Sequence, residues 1–561
     1  MAKSQKILTI IFFLICVIIQ VIPLIKSGLT YSFGIGYWGA MGHDGVWHQS
    51  LSSQIHNPFS LTLPMYHSVP LQGYHPFYNI LISTLHKLTL IPINILIFQL
   101  IPIITAIIFC YLSFQIGIIL TNKKLGGYTL LFLNTFANSF GWIVTIFRNG
   151  TFSGESMFWA MQSPSNQINP PYQLSLVLIL LLIFILLKSP LLKELNVFSS
   201  LSIILILVLL PITKVYSAPI GFGLFAFFVI FNIIKFKNFR PLYLLIISLV
   251  LSSALFFNYN RTSLSLLEFH PFWFINSMIE SPDRLYIPRL ANMRYTLESS
   301  GRIGPRLLTL QTLTLVLFVI GNFGWRILGF ISNKKTSIYT WMLNSLILLT
   351  ILIPTFFIQK GTSWNTIQFM YYGLFLGNIG LTLFIHSQKN IIQKILIFFI
   401  ILFSVIPLIG SIPQYLGTIP PSALPSNEIK ALDYLSQRPQ GIVLTVPYDN
   451  YQKFNFEFTP IPLYAYETTS YVSAYSKHPT FLEDEMNLGN SGIDFKPSLD
   501  ASKKFFEQKN IFQDRGFLVN NQIDYIYITG LQVEKYPLNH SELSIKEIYN
   551  EGGTLIYQVL R

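Results

Sequence analysis

WGAMGHDGVWHQS, residues 38–50, sets one carboxylate, Asp44, between Gly42 and Gly45, with His43 and His48 beside it, shortly after an apolar segment ends. The rest of the chain makes that acid unusual. Of 561 residues, 52% are hydrophobic and only 11% are charged, and mean hydropathy is +0.52. A soluble domain carries about 25% charged residues, so much of this surface needs lipid as its solvent. The two cysteines, Cys16 and Cys110, both lie in apolar runs. They fit neither a disulfide framework nor a zinc site.

Outward from that stretch, the chain reads as a series of spans. A crossing helix needs roughly 20 mainly apolar residues. Eleven segments qualify, near 7–25, 92–120, 126–146, 173–188, 197–213, 217–234, 241–258, 306–331, 338–359, 366–386 and 395–412. The first follows MAKSQK without an A-x-A site, which favours a retained helix over a cleaved signal. The net charge of +13 is concentrated in short gaps between runs: Lys123–Lys124, Lys188 with Lys193, Lys235 with Lys237 and Arg240, Lys334–Lys335, and Lys389 with Lys394. That is the positive-inside pattern. It excludes nucleic acid as the partner and predicts a multi-pass protein of the cell membrane with a cytoplasmic N-terminus.

The parity depends on HPFYNILISTLHKL, residues 75–88. It is short for a span, and Phe77, Leu81, Leu85 and Leu88 recur at helical spacing, as in a helix lying in the interface. A crossing there would invert everything downstream. On the reading without it, loops 26–91, 147–172 and 259–305 are the long outer ones. After residue 412 the apolar runs shorten to strand length. GIVLTVP (441–447), DYIYITG (524–530) and TLIYQVL (554–560) read as strands. NEIKALDYLSQ (427–437), LDASKKFFEQK (499–509) and SELSIKEIYN (541–550) read as helices. The predicted fold is an α-helical polytopic membrane protein of about eleven spans (1–412) with an extracytoplasmic α/β domain (413–561).

From Asp44, DGVWHQSLSSQI predicts a short helix with Asp44 as N-cap. Trp47, Leu51 and Ile55 form an apolar stripe suited to a membrane surface, and Asp44 and His48 share a face. Five of the ten histidines, His43, His48, His56, His67 and His75, fall in this loop. Their spacing lacks the tight pattern of a zinc site. TFLEDEMNLGN (480–490) clusters Glu483, Asp484 and Glu485 and reads as a solvated acidic face.

This layout resembles the GT-C superfamily of membrane glycosyltransferases, which includes oligosaccharyltransferases, protein mannosyltransferases and aminoarabinose transferases. The resemblance is carried by one apolar helix, a long outer loop opening on GHDG (42–45), two juxtamembrane helices with HPFYN (75–79) starting the second, many further spans and an outer α/β domain. It implies transfer of a sugar from a polyprenyl-phosphate donor to a glycan, lipid or protein acceptor, with Asp44 as the catalytic carboxylate. A positioned carboxylate removes the proton of a poorly nucleophilic hydroxyl. The departing phosphate needs positive charge, for which Arg148, Lys214, Arg261 and Lys360 at outer span ends are candidates. His43, His48 and Glu155 complete the candidate substrate-binding set.

The sequence departs from the family in its second acid. His43 stands where many members have one, and loop 147–172 holds only Glu155. A divalent ion such as Mg or Mn, if used, would draw on Asp44, His48 and Glu155. Loop 280–306, with Arg284, Arg289, Arg294, Arg302 and Arg306, reads equally as an ordered lid or as a solvated linker. Two other classes fit the same composition: a transporter or flippase of lipid-linked glycans, and a non-catalytic membrane scaffold.

Overall fold

The computed structural model describes residues 2–67, 69–188, 196–260, 267–301, 304–330, 338–507 and 511–560. Arg261, Lys193, Arg302 and Lys334–Lys335 lie outside the described residues. Most of the chain is helical. It divides into two compact units, one of 1–23, 103–257 and 265–413, the other of 24–102, 258–264 and 414–561.

The first unit is built from long apolar helices. Among the described residues, seven helices are long and apolar enough to cross a membrane, and Lys124–Phe136 with Gly141–Asn149 forms an eighth candidate bent by 46°. Gln5–Val21, Val197–Thr213 and Thr340–Phe356 are apolar but shorter. Each of the eleven segments expected from sequence coincides with one of these. Their exposed leucines, isoleucines and phenylalanines, among them Ile18, Phe147, Leu205, Val250 and Ile409, are stable only against lipid. Inside the unit, one group of buried polar side chains gathers around an arginine, and groups so placed need partners where water is excluded. Arg326, 1% exposed, gives Nε to Asn378 Oδ1 (2.7 Å) and its other nitrogens to Gln162 Oε1 (2.7 Å), Ala137 O (2.9 Å) and Ser163 Oγ (3.1 Å). The long loop before Pro305 is helical over Trp273–Glu280 and Pro288–Ser299, and Arg294 is buried against Glu280 and Glu298. Between residues 273 and 299 the loop is therefore folded as two short helices.

The second unit joins residues 24–102 to the C-terminal segment. Sequence reading placed loop 26–91 with the membrane part; in the structure it packs with 414–561. Gly34–Tyr37 pairs antiparallel with Ser422–Pro425, flanked by Thr30–Tyr31 and Ile461–Pro462. A second four-stranded sheet runs in the order Ile442–Thr445, Ile523–Thr529, Thr554–Val559, Ile545–Glu551, the first pair parallel and the others antiparallel. The three expected strands are all in it. Residues 541–550 differ from expectation: only His540–Leu543 is helical, and Ile545–Glu551 is an edge strand. The cause is the turn. Gly552 and Gly553 sit at φ +59° and +77° and close a two-residue hairpin onto Thr554, a geometry that needs positive φ at both positions.

Helix Phe77–Thr89 forms as expected, ending at Leu90 in the left-handed region. It buries Tyr78, Asn79, Ile82 and Ser83 and leaves Leu88 77% exposed. Helix Ser426–Ser436 packs across the second sheet and carries Glu428 inward, where it accepts a hydrogen bond from Tyr527 (2.9 Å). Burial pushes this carboxyl up to about 7, although the tyrosine hydrogen bonds lower it. Such a group adds most to stability when protonated, and that share is lost as pH rises from the ordinary carboxylate range through about 7. In Glu428→Gln, whose amide oxygen still accepts from Tyr527, the unfolding temperature of the detergent-solubilised chain should fall less between pH 5 and pH 8 than in wild type, measured by intrinsic fluorescence.

Candidate active site

The Asp44 helix begins one residue before its expected start. His43 is the capping position, its side chain accepts no capping hydrogen bond, and Asp44 is the first helical residue of Asp44–Ser53. The carboxylate therefore lies in the first turn, where the helix dipole favours negative charge. The predicted membrane-facing stripe is also corrected. Trp47, Leu51 and Ile55 are buried at 5, 3 and 8% exposure, so this face packs into protein. Trp47 Nε1 donates to Tyr74 OH (3.2 Å), and Ser50 Oγ meets Ser473 Oγ (2.9 Å).

His43 is the centre of the site. Its Nδ1 lies 2.9 Å from Asp44 Oδ1 and its Nε2 lies 3.1 Å from Asp484 Oδ1. Asn487 Nδ2 also lies 3.3 Å from Nε2; with both carboxylates ionised, each ring nitrogen donates to its carboxylate and the ring is an imidazolium. Burial alone would lower its pKa, but the two carboxylates outweigh it and raise it to about 11. Asp484 is buried, with φ +57°, and caps helix Glu485–Asn490 through the backbone N–H of Asn487 (3.3 Å). The amide Nδ2 of Asn487 donates to Asp484 Oδ2 (3.0 Å). The side chain of Asp44, by contrast, is 53% exposed. The result is a half-open carboxylate whose position is set by a buried cation, itself set by a buried anion.

The acids at 483–485 are thus not a solvated face. Glu483 is 6% exposed and accepts from the backbone N–H groups of Val472 and Ser473 (3.0 Å each) at the start of helix Tyr471–Ser476. Burial pushes it up to about 8 against those bonds. Glu485 accepts from Thr468 Oγ1. Sequence reading missed Asp484. The available signal was the spacing Asp484-x-x-Asn487 ahead of Leu488, which marks a helix start. His48 faces Asn79 Nδ2 (3.3 Å) and stacks edge-on with Tyr78.

The remaining expected site residues fall in the other unit. Glu155 is half-buried and accepts from Gln162 N (2.8 Å) and Ser165 Oγ (2.7 Å); burial raises its pKa first, with those bonds and Arg326 lowering it. Arg148 gives its guanidinium to the carbonyls of Pro282 (3.3 Å), Arg284 (2.8 Å) and Leu285, so it secures that loop. Lys214 is buried at 4% exposure with its ammonium 5.8 Å from the Tyr216 ring centre, whereas Lys360 is exposed. Arg326, which links Gln162 to Asn378, was not picked out from sequence; a lone arginine in GNFGWRILGF carries no motif. Among the described residues no group of three His, Cys, Asp or Glu side chains is arranged to hold a metal ion. Of the expected set, Asp44 and His48 belong to one unit and Glu155 to the other.

These features define a multi-pass membrane chain bearing a half-exposed carboxylate on a folded loop. Among solved structures, the chain is similar to an oligosaccharyltransferase of Archaeoglobus fulgidus tethered to an acceptor peptide, at TM-score 0.49 and 10% identity over 100% of this chain and 75% of that one. A structure of that enzyme with Zn and sulfate matches at TM-score 0.48 and 12% identity, covering 98% and 72%. The arabinofuranosyltransferase AftD from Mycobacteria matches at TM-score 0.48 and 10% identity, over 98% of this chain and 41% of that one. These neighbours are members of the GT-C superfamily. No protein-family profile and no curated protein sequence matches the chain.

Two expectations test this geometry. With labelled histidine, His43 should show imidazolium nitrogen shifts at pH 8 in wild type and titrate at lower pH in Asp484→Asn, where one stabilising charge is gone. Replacing Arg326 by Met strands Asn378, Gln162 and Ser163, and should cost on the order of 3 kcal/mol, read as a lower unfolding temperature in detergent.

Proposed function

We propose that the chain is a membrane glycosyltransferase that moves a sugar from a polyprenyl-phosphate carrier to an acceptor at the outer membrane face, with Asp44 as general base. The observation that carries this reading is the half-exposed Asp44 carboxylate held by the His43 imidazolium. One Asp44 oxygen takes the proton of an acceptor hydroxyl as that oxygen bonds to the anomeric carbon. The bond from that carbon to the phosphate oxygen breaks with inversion, and the carrier phosphate leaves with the electron pair. His43 and Asp484 keep the carboxylate from turning away, so little reorganisation is needed at the moment of reaction.

The membrane unit supports a lipid-linked donor. A groove of about 980 Å³ between helices Pro288–Ser299 and Pro305–Phe323 is lined by Leu290, Met293, Leu297, Leu310 and Leu313 together with Arg289 and Arg306. A hydrocarbon chain suits the leucines and a phosphate suits the arginines. The same reading takes all eleven apolar helices as crossings, with the N-terminus cytoplasmic and 413–561 outside. It leaves the sugar, hexose or pentose, to be found by experiment.

The test uses purified protein in lipid, a labelled polyprenyl-phosphate sugar and an envelope fraction as acceptor. Asp44→Asn should lower transfer by about 10²–10⁴-fold. Unchanged transfer would remove Asp44 as base. Carrier movement across the bilayer without transfer would make the chain a flippase.

A further inference from the structure

Helix Asp44–Ser53, the following turn and helix Phe77–Thr89 enclose a separate cavity of about 170 Å³. Its lining is mixed: Leu51 and Leu71 are apolar, and Gln54, His56, Asn57 and Ser60 are polar. None of the lining residues is Asp, Glu, Lys or Arg. Asn79, fully buried, also lines it. Its Nδ2 is committed to His48 O (3.1 Å) and neighbouring acceptors, which fixes the amide orientation. Its Oδ1 then has no partner. A buried carbonyl oxygen in that state calls for a donor.

The space is many times the roughly 15 Å³ that one water requires. An uncharged lining disfavours an ion. Amides, a hydroxyl and an imidazole beside leucine side chains match a molecule that has hydroxyls round its edge and C–H groups on its faces. We infer that this cavity binds one neutral sugar residue, with a ring hydroxyl donating to Asn79 Oδ1. Leu51 lies two turns from Asp44 on the same helix, about 10 Å along its axis, so this is a second binding position and not the carboxylate itself. The inference does not depend on transfer chemistry.

Saturation-transfer NMR on the full chain in nanodiscs, with a panel of methyl hexosides and methyl pentosides and with glycerol as control, tests it. At least one glycoside should receive saturation at its ring C–H protons. Ser60→Trp, which fills the cavity from an exposed rim position, should abolish the signal while leaving the unfolding temperature near wild type. His56→Ala should weaken binding severalfold. The proposal fails if no glycoside binds, as for a water-filled cavity. It also fails if Ser60→Trp leaves the signal intact, or if glycerol competes as well as any sugar.

Discussion

A protonated imidazole between two carboxylates organises the second unit of this protein. His43 reaches Asp484, 441 positions later in the chain, and Asp44 beside it. Burying an imidazolium alone would be costly, and removing either acid leaves that charge poorly compensated. The pairing ties a loop near the N-terminus to a segment near the C-terminus, and the antiparallel pairing of 34–37 with 422–425 repeats the tie in backbone hydrogen bonds. Asp44 gains a fixed direction from this arrangement while keeping about half of its surface open. An orienting partner that is itself oriented is what a carboxylate needs to meet a weakly nucleophilic hydroxyl.

The membrane unit solves a related problem with neutral groups. Arg326 is satisfied by amide, hydroxyl and carbonyl oxygens instead of a directly bonded carboxylate. Gln162 passes the connection to Glu155, whose Oε1 accepts the Gln162 backbone N–H. A loop that would otherwise leave polar atoms in an apolar interior is thereby pinned at several points.

Hydropathy and charge placement made the membrane helices legible, because lipid imposes length and composition directly. The Asp44 helix and the three C-terminal strands were legible from periodicity. What escaped depended on contacts distant in sequence. Trp47, Leu51 and Ile55 read as a membrane stripe because an apolar face looks the same whether lipid or protein covers it. Glu483 and Asp484 read as solvated because the backbone N–H groups of Val472 and Ser473 and the His43 imidazolium that receive them lie elsewhere in the sequence. Residues 545–551 read as a helix because the signal lay in the Gly552–Gly553 turn beyond them.

The role of Asp44 turns on where an acceptor sits. A cryo-electron-microscopy structure of the full chain with polyprenyl phosphate and an acceptor analogue tests it most directly. The acceptor hydroxyl should lie within about 3.2 Å of an Asp44 oxygen, with His43 still bridging to Asp484. Acceptor density elsewhere, with Asp44 facing bulk solvent, would contradict it.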